Sequence, residues 1–115
     1  MEVTVPEAIS RMLRATLEDR ESVLYVQAGE RTEVILRSEM SERRILQGPP
    51  RVFEQLRSRL LQMAHFADPE EQTTREGEIL YLVDGHPHSF LIRETRSLLE
   101  PNARLITLRY QHNQE

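Results

Sequence analysis

Gln47-Gly48-Pro49-Pro50 is the segment that most restricts how this chain can fold. Two successive prolines remove two backbone donors and fix φ, so neither a central strand nor a helix interior runs through them. The segment closes whatever precedes it and launches a new element. It cuts the chain into two halves, and each half reads as a helix followed by strands.

In the first half, Thr4 stands three residues before Glu7, a capping-box spacing, with Pro6 in the first turn. Ile9, Met12, Leu13 and Leu17 then recur at helical spacing. Val23 to Gln27 is β-branched and aromatic enough for a strand, and the stretch from Thr32 to Met40 returns from a turn at Gly29. Arg43 to Leu46 offers a short third strand. In the second half a helix is expected from Arg51 to about His65, with Val52, Phe53, Leu56, Leu60 and Met63 as its apolar stripe. Arg57, Arg59 and Gln62 are expected to face water. A polar connection from Phe66 to Glu78 follows, in which the acidic run Asp68 to Gln72 reads as a helix N-cap rather than a cation site. Asp84-Gly85 between two apolar runs is a two-residue hairpin signal. A looser stretch from Thr95 to Ala103 precedes a last strand, Arg104 to Tyr110. The expected fold is α+β: one domain over residues 1–115, ordered α-β-β-(β)-α-β-β-β, with a mostly antiparallel sheet and two helices on one face.

Composition limits the chemistry. The chain of 115 residues has a formal net charge of -4, which argues against a surface that tracks nucleic-acid phosphates. It contains no cysteine, so disulfides and thiolate metal sites are excluded. All 15 basic side chains are arginine, so a phosphate loop, which needs lysine, cannot be built. His86 and His88 in the His-Pro-His sequence read as a solvated turn before they read as zinc ligands, and His65 and His112 stand alone. No serine has the context of a nucleophile. The expectations are no enzyme activity, no cofactor and no metal. No apolar run has the length of a membrane span, and the N-terminus lacks the features of a signal peptide, so a cytoplasmic location is expected.

Arginines punctuate the last two strands. Alternation places Leu91, Arg93 and Thr95 on one face, opposite Phe90 and Ile92. It likewise places Leu105, Thr107 and Arg109 opposite Arg104, Ile106, Leu108 and Tyr110. Two readings stay open. These arginines are solvated and pair with acids such as Glu94 or Glu100, or they are prepared donors for phosphate or carboxylate.

The stretches "SRLLQMAHFADPEEQTTREGEI" and "LIRETRSLLEPNARLITLRY" resemble, without gaps, the N-terminal PAS-like domain of the type II secretion and type IV pilus ATPases. Arg59, Met63, Ala64, Phe66, Glu70, Gly77 and Ile79 fall in register in the first, and Arg93, Thr95, Arg104, Leu108 and Arg109 in the second. The first half retains Ser22 and Arg37, with Glu39 in place of the family's Asp in the second strand, while Val23 and Tyr25 replace the Asp and His of the first. Thr74 to Gly77 reads Thr-Arg-Glu-Gly where the family has Pro-Gln-Asp-Gly. The resemblance implies a PAS-like companion domain without its RecA-like motor, a non-catalytic adaptor or regulator that binds itself or a secretion or pilus motor ATPase. It also implies that Arg93 and Arg104, with Arg109 third, face phosphate or an interface. Two other classes fit the composition: a small acidic secretion-chaperone-like dimer, and a PAS-like sensor of a small ligand.

Overall fold

The computed structural model describes residues 3–66, 74–96 and 104–112. Helix α1 (Val5–Glu18) begins as the sequence predicts: the Thr4 hydroxyl accepts from the Glu7 N–H at 3.3 Å, and Pro6 lies in the first turn. Its inner face is Ala8, Ile9, Met12, Leu13 and Ala15. Thr16 is also buried there, and its hydroxyl donates to the Met12 carbonyl at 2.9 Å. Strands β1 (Val23–Gln27), β2 (Thr32–Arg37) and β3 (Glu42–Gly48) form an antiparallel meander. Helix α2 (Arg51–Met63) follows, then β4 (Ala64–Phe66), β5 (Thr74–Val83), β6 (His86–Arg96) and β7 (Arg104–Tyr110).

The seven strands make one sheet in the order β3-β2-β1-β7-β6-β5-β4, and each neighbouring pair is antiparallel. Both helices cover one face. Leu24, Val26, Val34, Leu36, Ile79, Phe90, Ile92, Ile106 and Leu108 point from the sheet into the core beneath them. Fold class is therefore α+β, with two helices on an antiparallel sheet.

The two turn signals are realised with identifiable geometry. Asp84 and Gly85 have φ of 52° and 83°, the left-handed pair that a tight hairpin needs to match strand twist. After Pro49-Pro50, helix α2 lacks a side-chain cap of its own. Thr32 of β2 supplies one from across the fold: its hydroxyl donates to the Pro49 carbonyl at 2.8 Å and accepts from the Phe53 N–H at 2.9 Å. Replacing this buried hydroxyl by methyl in Thr32→Val removes both of its hydrogen bonds and leaves the Phe53 N–H with the Pro50 carbonyl alone, at 3.2 Å. The expected cost is about 0.5–1.5 kcal/mol, readable as a lower urea midpoint with unchanged slope.

Three expectations need correction. Helix α2 stops at Met63, because Ala64 is extended (φ -92°, ψ 150°), so His65 lies on an edge strand and not in the helix. Strand β5 begins at Thr74, and the stretch from Thr74 to Glu78 is strand where a connection is expected. Its alternation is intact, but the inward positions hold Arg75 and Gly77 instead of aliphatic residues. Strand β3 is longer than Arg43 to Leu46 and carries a register shift opposite Val34 and Ile35. The acidic run Asp68 to Gln72 and most of the stretch between Thr95 and Ala103 lie outside the described residues.

Gly77 has a steric reason to be glycine. A Cβ there would stand 2.7 Å from the His65 carbonyl oxygen and 2.8 Å from Cδ1 of Phe66, since Phe66 of the neighbouring strand β4 is paired with it. Gly77→Ala is expected to push β4 off the sheet edge at a cost of about 1–3 kcal/mol, seen as a lowered Tm and faster amide exchange at His65 and Phe66.

Candidate functional site

With both helices on one side, the other side of the sheet is uncovered among the described residues. Strand register arranges its side chains in rows. One row runs Glu78, Leu91, Arg109, Val23, Arg37, Glu42 across β5, β6, β7, β1, β2 and β3. The next runs Glu76, Arg93, Thr107, Tyr25, Ile35, Arg44, and a third Thr74, Thr95, Leu105, Gln27, Glu33, Gln47. Beyond the first row, the β5–β6 hairpin extends past its neighbours and carries Leu80 and Leu82 on the same face. They are 62% and 65% exposed, far more than aliphatic side chains on a covered sheet. The Arg14 guanidinium reaches Asp84 at 3.5 Å and ties the hairpin tip to α1.

The three arginines singled out from sequence do not share a surface. Arg93 and Arg109 lie on the uncovered face and border one shallow concavity with Val23, Tyr25, Leu105 and Thr107. Arg93 is held by Glu76, its cross-strand neighbour. Such an exposed pair contributes about 0–1 kcal/mol. Arg109 has no ion-pair partner among the described residues. Arg104 is on the opposite, helix-covered face, half-buried, with Nη1 3.4 Å from a Glu54 carboxylate oxygen of α2. It helps fasten α2 to the sheet. Of the predicted histidines, His86 and His65 are exposed, His88 packs beside Tyr110, and His112 stands 3.9 Å from Glu21. Among the described residues no cluster of His, Asp and Glu has the arrangement of a metal site.

The helix-covered face hides a charged cluster that sequence reasoning missed. Glu94 follows Phe90 and Ile92 in strand parity and points inward, 8% exposed. Both its oxygens are taken: Arg57 of α2 binds it, and Arg75 Nε of β5 donates at 3.1 Å. Arg75 is itself buried, with its guanidinium carbon 4.4 Å above the Phe66 ring centre. Glu54 continues the chain of charges from Arg57, at 3.9 Å, to Arg104. Arg57 therefore does not face water, and Glu94 is not a partner of Arg93 or Arg109. Burial by itself would raise the Glu94 pKa; the hydrogen bonds and charge of Arg57, then of Arg75, outweigh it and hold the carboxyl below the usual range. The readable signal was inward parity of an acid on β6 with two arginines at inward positions elsewhere.

Chemically, the two faces differ. The charges on the helix side pair with one another, with Arg75 and Glu94 buried and Glu54 at the solvent edge, whereas the uncovered face mixes exposed leucines, a tyrosine, threonines and guanidinium groups in a flat array. Such an array has the make-up of a contact surface. Compared with known proteins, the chain matches no family model, and no curated protein sequence matches it.

Proposed function

We propose that this chain is a non-catalytic protein-interaction domain that works through the uncovered face of its sheet. The observation that carries the reading is the pair of leucines, Leu80 and Leu82, held in solvent on a two-stranded arm beside an arginine-bearing sheet. Two exposed leucines cost solvation without helping the core, and covering them returns about 1.5–3 kcal/mol for each side chain fully removed from water. The resemblance to the secretion and pilus ATPase companion domain makes a motor ATPase of that class the partner to test first. In that reading Arg93 and Arg109 belong to the contact surface, and Arg104 maintains the fold.

The test uses the purified chain with a purified secretion or pilus motor ATPase, measuring association by calorimetry and the steady-state ATPase rate. Binding that is lost in Leu80→Asp/Leu82→Asp, while the melting curve of the variant is retained, is the expected result. Absence of association together with an unchanged ATPase rate would sink the proposed partner.

A further inference from the structure

We infer that the uncovered face closes on the same face of a second copy of this chain, about a two-fold axis running along β6 through Leu91. The inference rests on the interaction-domain reading and commits it to one occupant.

Charge is the first argument. The whole chain has 19 acidic and 15 basic side chains. On the rows of the uncovered face stand Glu33, Glu42, Glu76 and Glu78 against Arg37, Arg44, Arg93 and Arg109. That is four of each sign among the described residues, so these rows are neutral although the whole chain carries -4. Two identical acidic molecules repel over most of their surfaces; here they meet without that cost.

The second argument is how those charges are used. Arg37 binds Glu42, Arg44 binds Glu33, and Arg93 binds Glu76, all within one copy. Glu78 and Arg109 remain, with no ion-pair partner among the described residues, one on each side of Leu91 in a single row. They are two strand spacings apart, about 10 Å, with Leu91 between them. Rotation about β6 exchanges the places of β5 and β7. Glu78 of each copy then lies over Arg109 of the other, twice by symmetry, and Leu91 meets Leu91 on the axis. One row on, Arg93 meets Arg93, each neutralised by its own Glu76.

Size is the third argument. The overlap comprises β5 to β7 over about four rows, and β4 against β1 over the single row of His65. At about 4.8 Å per strand and about 6.8 Å per row, it covers roughly 450 Å² per copy in projection. A standard stable interface takes about 800 Å² per partner, so this one belongs with the weaker, reversible contacts.

The experiment is sedimentation equilibrium on the full chain over a rising concentration series. A monomer–dimer equilibrium is expected. Arg109→Glu and Glu78→Arg alone should each weaken dimerisation about tenfold or more, and Arg109→Glu/Glu78→Arg together should restore it. Both sites are exposed, so all three variants should melt like the parent. A chain that is monomeric throughout overturns the inference, as does a double variant no better than either single one. A monomer that still binds the motor ATPase through Leu80 and Leu82 overturns the dimer and leaves the adaptor reading standing. A dimer restored by the double swap supports the inference even where the ATPase fails to bind.

Discussion

Glu94→Ala is expected to lower the stability of the domain by about 3–5 kcal/mol, because it leaves two guanidinium groups facing each other without their shared carboxylate. Arg75 is 7% exposed and has no route to solvent that preserves its stacking on Phe66. The Arg57 side chain is 19% exposed and can recover part of its hydration, which puts the loss toward the lower end of that range. Glu94→Gln should cost less, since the amide oxygen still accepts one hydrogen bond. Urea unfolding of the two variants beside the parent measures the difference; equal midpoints for Glu94→Ala and the parent would refute the role given to this cluster. The same carboxylate sets a pH dependence. Its folded pKa lies below the ordinary carboxylate value of about 4.3. The pairing contributes fully above that unfolded value and is lost as pH falls through the lower folded value. The parent should therefore lose stability on acidification in a step that is diminished in Glu94→Gln.

This cluster also marks where the sequence stops being legible. Strand alternation already separates Arg104, Ile106 and Leu108 from Thr107 and Arg109, and Arg93 from Phe90 and Ile92. Both parities hold in the structure. Asp84-Gly85 and Pro49-Pro50 are equally readable, since each imposes a local backbone geometry. What local pattern does not contain is which strands become neighbours. β1 lies beside β7, some eighty residues away in the chain, and only this pairing brings Tyr25 against Thr107. Likewise Arg93 and Arg109 become neighbours only through the β6–β7 register, which sets Leu91 against Arg109. Strand β4 is invisible for another reason. Ala64, His65 and Phe66 are too few to show a period, and they continue an apolar helical pattern without a break residue. In β5, inward Arg75 reads as solvent-facing until Glu94 is known to lie beside it in register.

Phe90→Ala should be the other large perturbation, at about 3–5 kcal/mol. Phe90 is fully buried on β6, near the middle of the sheet, between Ile79 of β5 and Tyr110 of β7. The Tyr110 ring meets it edge-on at a centroid distance of 6.0 Å, and the Arg20 guanidinium carbon lies over the Tyr110 ring, 4.4 Å from its centre. A cavity here cannot collapse cheaply, because Ile79 is fixed by ladders on both sides and Tyr110 by its pairing with β6 and its ring contacts. Phe90→Leu retains most of the volume and should cost less than half as much. Only three tyrosines and no tryptophan are present, so the tyrosine signal, to which Tyr110 contributes, is read by near-ultraviolet circular dichroism without interference from indole. A reduced Tyr signal in Phe90→Ala together with a lower urea midpoint is expected. Because Phe90 points to the helix-covered face and Leu91 to the uncovered one, a folded Phe90→Leu chain should self-associate like the parent, whereas Leu91→Arg should melt like the parent and remain monomeric. That contrast on two adjacent residues separates loss of core from loss of contact surface, which a single destabilised variant never does.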